Sequence, residues 1–122
     1  MSPAEDAALL LAIVRRHIRT LEFGLSAEFP EEDWGFTAQQ AVEKILKAWI
    51  VMAEQQPPRS HDLGELAMRA NVSLCGAISD LQVFAVEARY EEGPFALPAA
   101  KAELLEQIEE LFENCERAIT PQ

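Results

Sequence analysis

Glycine, cysteine and histidine are scarce in this chain of 122 residues, at five, two and two. So few glycines leave no glycine-rich phosphate loop, and neither GxSxG nor HExxH occurs. Cys75 and Cys115 stand alone, without a CxxC pair or enough histidines to complete a ligand set, so neither a metal nor a cofactor is expected. Both thiols are expected free, as small buried apolar side chains in a reducing compartment. Positive charge is also short: 10 Lys and Arg stand against 21 Asp and Glu, a formal net charge of -11. That balance argues against nonspecific binding to a nucleic-acid backbone, which needs a cationic field over several phosphates. It leaves room for a local basic pocket holding one nucleotide. No apolar run approaches the roughly 20 residues that span a bilayer. The first residues place acids before the apolar run and bases after it, the reverse of a signal peptide, so a cytoplasmic location off the membrane is expected.

What is present is an ordinary globular composition, 49% hydrophobic and 25% charged, on a length that suits one domain over 1–122. The chain is organised around the stretch from Trp34 to Leu63. Between Phe36 and Glu54 its apolar residues (Ala38, Ala41, Val42, Ile45, Leu46, Trp49, Ile50, Met52, Ala53) cover two faces of a helical wheel. Such a helix is normally the buried centre of a bundle. Gln40, Glu43, Lys44, Lys47 and Glu54 share the remaining polar stripe, which is either solvated or the wall of a cleft.

Four more helices are predicted around it. The first runs over Pro3–Leu25, capped by Ser2, with the seam Ala7, Leu11, Val14, Ile18, Leu21 and Leu25. Arg15, Arg16 and Arg19 lie off that seam beside His17 and read either as a cationic patch for an anionic partner or, more simply, as a solvated face in i, i+4 contact with Glu22 and neighbours. Pro57 and Pro58 end the central helix, and a short helix over Asp62–Ala70 follows, with Ser60 or Asp62 as its cap. A longer one over Leu74–Glu91 carries Leu74, Ile78, Leu81, Ala85 and Ala88 on one side and stops before Gly93-Pro94. The last spans Pro98–Ile119, with Leu105, Ile108, Phe112, Cys115 and Ile119 opposite a row of glutamates. No segment reads as strand. The expected fold is all-α, an antiparallel up-and-down bundle of four long helices and one short one.

Four groups could converge on a binding site. Lys44 and Gln40 project from the central stripe, His61 follows the proline turn, and Arg89 and Tyr90 close the fourth predicted helix. Lysine and arginine beside a helix start offer positive potential to a phosphate, and Tyr90 or His61 could stack on a base.

Three blocks add a resemblance: Gln39-Gln40-Ala41-Val42-Glu43-Lys44, then Ser60-His61-Asp62-Leu63, then Ala88-Arg89-Tyr90. In order and spacing they resemble the HEPN domain family, over nearly the whole chain. QQAxEK followed by SHDL is the specific pair, whereas ARY alone would be weak. The resemblance implies an antiparallel helical bundle, often dimeric, in a family many of whose members are encoded beside a minimal nucleotidyltransferase. It is similar to the helical domain that follows the catalytic domain in kanamycin nucleotidyltransferase-type enzymes. The HDL branch implies nucleotide binding; other branches are metal-independent ribonucleases that act as toxins in toxin–antitoxin pairs. Those ribonucleases use an Arg, four to six residues and then a His, and neither His17 nor His61 has an Arg at that distance.

The expectation is therefore a non-catalytic module presenting Gln40, Glu43, Lys44, His61, Arg89 and Tyr90 to a nucleotide or a nucleotidyltransferase partner. Lys44 and Arg89 would neutralise phosphate, His61 would donate or stack, Gln40 would read a polar edge, and Glu43 would orient a cation. A ribonuclease toxin and a purely structural homodimer are the alternatives. A homodimer is expected in any case, because the two apolar faces of the central helix exceed what so small a bundle covers internally.

Overall fold

Ser2 starts the first helix as its spacing predicts: its hydroxyl accepts a hydrogen bond from the Glu5 amide at 3.2 Å, and Pro3 occupies the first turn. The computed structural model describes residues 2–85, 90 and 92–119. Helix α1 covers Pro3–Phe23 and buries Ala7, Leu11, Val14 and Leu21, the expected seam. Leu25 drops out of it because the helix stops at Phe23, leaving Leu25 exposed. The stop has a packing reason. A Cβ on Gly24 would lie 2.7 Å from the Trp34 ring, so only glycine lets the chain turn this close to the next helix.

Helix α2 covers Glu31–Met52, beginning directly after Pro30 at the acidic run that the sequence places at the helix start. Its first turn takes in Glu31, Glu32 and Asp33, whose charges favour a helix N-terminus. Trp34 is fully buried and its indole donates to the Leu21 carbonyl at 3.0 Å, fixing the start of α2 against the end of α1. At the far end Glu54 adopts φ 60, the left-handed region, and the chain leaves the helix. Ala38, Ala41, Val42, Ile45, Leu46, Ala48 and Ile50 are all without exposed surface. They are covered by α1 and by the elements that follow, while Trp49 and Met52 near the end of α2 stay partly exposed.

Helix α3 covers Leu63–Ala70, with the Asp62 carboxylate accepting from the Glu65 amide at 3.1 Å and Asn71 closing it at φ 58. The next segment departs from expectation. In place of a single helix from Leu74, the described residues form a short turn, α4, over Gly76–Ser79, running into a 3-10 helix over Asp80–Phe84. The tighter 3-10 coil sets Phe84 on the inward face. There it is fully buried against Gly35, where an added Cβ would meet the Phe84 ring at 2.6 Å. Ile78, Leu81 and Ala85 keep their buried positions despite the change of coil. Ala88 lies outside the described residues.

Helix α5 covers Lys101–Ile119, three residues shorter at its start than expected, and buries Leu104, Leu105, Ile108, Phe112 and Cys115. Two cations tie it to the front of the chain. Lys101 donates to the carbonyls of Ser26 and Phe29, both at 2.8 Å. Arg15 pairs with Glu116 and lies 5.3 Å over the Phe112 ring, so this arginine of the basic face is a clasp between α1 and α5. The fold is an all-helical bundle with one apolar core that draws on every described helix. No described helix is long and apolar enough to cross a membrane.

The cysteines divide. Cys115 is buried as expected, and burial pushes its thiol up to about 12. Cys75 is exposed, contrary to expectation, because the helix thought to seat it begins only after it. Both are free.

Candidate functional site

Two polar residues are buried on α2, Gln39 and Glu43, one turn apart on the same face. Glu43 is 4% exposed, yet its carboxylate is fully engaged. Oε1 accepts from the Gln39 amide at 3.2 Å and from His61 Nδ1 at 2.8 Å. Oε2 accepts from Lys47 Nζ at 3.0 Å. Burial alone would raise this carboxyl. Hydrogen bonds from His61 and Lys47, the Lys47 charge and the Gln39 amide outweigh it and hold the group below its ordinary 4.5.

The arrangement continues along the polar stripe. Gln39 accepts from Gln40 Nε2 at 2.9 Å, and Gln40 in turn accepts from Lys44 Nζ at 2.9 Å. One connected chain of hydrogen bonds thus runs from Lys44 through Gln40 and Gln39 to Glu43, and from there to His61 and Lys47. Lys44 is half-buried. Burial lowers its pKa and so does the Lys47 charge, while Glu43 acts in the opposite sense.

The turn that carries His61 is held at three points. Gln39 Nε2 donates to the His61 carbonyl at 3.2 Å, Ser60 Oγ accepts from the Asp62 amide at 3.0 Å, and Gln82 Oε1 accepts from the Leu63 amide at 2.6 Å. The His61 ring itself is 58% exposed. Because a carboxylate only accepts, Nδ1 carries the proton toward Glu43. In the neutral ring Nε2 is then left as an outward-facing acceptor, and in the charged ring as a donor.

Of the six residues singled out by sequence, the structure joins Gln40, Glu43, Lys44 and His61 in this one network. Tyr90 is described and 75% exposed. Arg89 lies outside the described residues. Sequence reasoning passed over Gln39 and Lys47 as site members, although both sit four residues from Glu43, the spacing at which helical side chains meet. Gln82 gave no local signal. His17 stood out only beside the basic run of α1; its Nε2 is buried without a hydrogen-bond partner. Burial, Lys44 and Arg16 lower the His17 pKa, which places this α1 ring in the field of the same lysine.

Hollows of the surface lie elsewhere. One of 620 Å³ is lined by Pro3, Asp6, Leu10, Val51 and Glu54, and one of 480 Å³ by Leu25, Glu31 and Lys101. Another, of 420 Å³, follows Glu106, Glu109, Glu110 and Glu113, and one of 240 Å³ runs from Ser73 and Cys75 to Gln107 and Asn114. The network on α2 is instead a polar face with cations at its edges. Among the described residues no group of His, Cys, Asp and Glu is placed to hold a metal.

Neither the curated proteins nor the solved structures include a significant match to this chain. The family model for the HEPN domain matches residues 25–120, from the α1–α2 turn to beyond the last described turn of α5, and the chain belongs to the HEPN domain family.

Proposed function

We propose that this HEPN domain is a non-catalytic binding module whose α2 face and His61 turn receive a nucleotide, or a nucleotide-bearing nucleotidyltransferase partner. The observation that carries the reading is the unbroken chain of hydrogen bonds from Lys44 to His61 through Gln40, Gln39 and Glu43. It pre-orients two groups suited to a phosphate ester. Lys44 offers an ammonium that burial has partly stripped of water. His61 presents Nε2 outward from a ring anchored at Nδ1. Glu43 acts behind them as an orienting group, since its oxygens are taken by His61, Lys47 and Gln39. Gln40 stands beside Lys44 to read a polar edge, and Arg89 and Tyr90 complete the set by resemblance.

The ribonuclease alternative lacks the Arg-to-His spacing of that branch, and the net charge of -11 opposes a long polyanion. For a homodimer, most of the apolar surface of α2 is covered within one chain, so a second copy would use its partly buried end at Trp49 and Met52, or exposed residues such as Phe23, Met68 or Leu9. Free thiols accord with a cytoplasmic placement.

The test is calorimetric titration with ATP, GTP and a short RNA, repeated for Lys44→Ala. Binding of a nucleotide that Lys44→Ala weakens by about 1–3 kcal/mol, the scale of a charge-assisted hydrogen bond, is the expected result. Equal binding by both proteins, no nucleotide binding, or cleavage of the RNA overturns the reading.

A further inference from the structure

We infer that His61 is a phosphoryl-acceptor nucleophile: its outward Nε2, with the buried Glu43 carboxylate behind the ring, takes a phosphoryl group from a small donor such as an acyl phosphate or a phosphoramidate. This goes beyond the contact with a nucleotide proposed above, because a covalent N–P bond forms. It does not depend on nucleotide binding, and the two are measured separately.

A free imidazole exchanges its one proton between two nitrogens and turns freely, so neither nitrogen is held ready to attack. His61 is constrained on both counts. Nδ1 donates to Glu43 Oε1 at 2.8 Å, which leaves the lone pair of the neutral ring on Nε2. The ring is 58% exposed, and its backbone carbonyl is held by Gln39 Nε2 at 3.2 Å. Attack through Nε2 places a positive charge on the ring. The counter-charge is already there: Glu43 is 4% exposed, and its oxygens are fixed by Gln39 at 3.2 Å and Lys47 at 3.0 Å. A carboxylate desolvated and oriented beforehand need not reorganise as that charge grows. A nucleophile backed by an oriented carboxylate is the arrangement of covalent catalysis, here with the histidine itself as the attacking group.

Lys47 selects the electrophile. Its ammonium sits on Oε2 of the carboxylate whose Oε1 receives His61 Nδ1, so a cation and the imidazole are joined through one group. Its side chain keeps 19% of its surface exposed. Positive charge beside the ring draws in a phosphoryl group, whose oxygens are anionic, and does nothing for an uncharged alkylating or acylating agent. In the step, the Nε2 lone pair forms the N–P bond. The bond from phosphorus to the leaving group breaks, and the leaving group departs with that electron pair, as a carboxylate or as ammonia from a protonated phosphoramidate. Nδ1 keeps its proton, still donated to Glu43. The transfer is stoichiometric, so the domain is the acceptor and not an enzyme.

The probe is potassium phosphoramidate, added at neutral pH to the folded protein in the presence of N-acetylhistidine. ³¹P NMR follows N–P bond formation, and long-range ¹H–¹⁵N NMR assigns the nitrogen that carries it. His61 should be phosphorylated at Nε2 about tenfold faster than N-acetylhistidine, the low end of what a charge-assisted hydrogen bond supplies. Unfolding in urea should remove the advantage. Glu43→Gln, which keeps an acceptor for Nδ1 but no charge, should lose most of it. His17, whose Nε2 is buried, should stay unmodified at that nitrogen. Reaction of His61 at Nδ1, a rate no greater than that of N-acetylhistidine, or an undiminished rate in folded Glu43→Gln overturns the inference. If Glu43→Gln fails to fold, the wild-type rate and the nitrogen modified decide it.

Discussion

The side-chain amide of Gln39 donates to the backbone carbonyl of His61 at 3.2 Å, joining the middle of α2 to the turn before α3 across 22 positions of sequence. The same nitrogen also donates to Glu43 Oε1, the oxygen that receives His61 Nδ1. Gln39 therefore grips His61 from both sides, by the main chain directly and by the ring through a shared carboxylate oxygen. With no exposed surface of its own, this glutamine has no role toward solvent. It is a positioning residue for the exposed histidine.

Replacing Gln39 by Leu keeps the volume but strips the His61 carbonyl, the Glu43 carboxylate and the Gln40 amide of a partner at once. A loss of about 1–3 kcal/mol is expected, the range for leaving buried polar groups unsatisfied. Urea unfolding gives the magnitude, and the ¹⁵N shifts of the His61 ring report whether its orientation goes with it. An unchanged midpoint together with unchanged His61 shifts would show that the turn is held by Ser60 and Gln82 alone.

Glu43 gives the network a pH dependence whose sign can be worked out. Its folded pKa lies below the ordinary 4.5. The unfolded chain thus binds the proton more readily, and the carboxylate stabilises the fold at every pH above about 4.5, with the contribution lost as pH falls through the lower folded value. Glu43→Gln, which cannot ionise, should be less stable than the wild type at neutral pH, with the gap narrowing below pH 4.5. Urea midpoints measured for both proteins from neutral pH down to about pH 3 check this. Parallel curves would mean that Glu43 titrates alike in the folded and unfolded chains.

The helices were legible because their seams repeat at three and four residues and their caps are local. Ser2 and Asp62 act as their spacing with Glu5 and Glu65 predicts. The segment after Leu74 was less so, for a physical reason: Ile78, Leu81 and Ala85 are spaced at three and four, which suits α and 3-10 coils alike over so short a run. What decides between them is Phe84 entering the space over Gly35, a contact between residues 49 positions apart. The site shows the same division. Glu43 and its i±4 neighbours Gln39 and Lys47 could be read from one helix, whereas His61 could be offered only as a group able to converge with them, a juxtaposition that depends on how the proline turn folds back on α2. The buried Nε2 of His17 had no sign in the sequence, because a histidine among Arg15, Arg16 and Arg19 has the pattern of a cationic patch or a solvated face.

The thiols offer the simplest check on the packing of α5. Cys115 has no exposed surface, its Sγ lies 3.7 Å from the Ile45 carbonyl, and burial followed by the Glu116 charge pushes its pKa up to about 12. At neutral or mildly alkaline pH it is therefore almost wholly in the unreactive thiol form and has no path to a reagent. Cys75 is exposed, with its thiol 3.0 Å from Gln107 Oε1. A disulfide-exchange reagent added to the native, unreduced protein should titrate one thiol quickly, and that fast phase should vanish in Cys75→Ser. The second thiol should react only as the protein unfolds, at a rate that follows the denaturant dependence of unfolding. Two fast thiols would mean that α5 does not close over Cys115. No thiol even after unfolding would mean that both were oxidised, against the free cysteines of the fold.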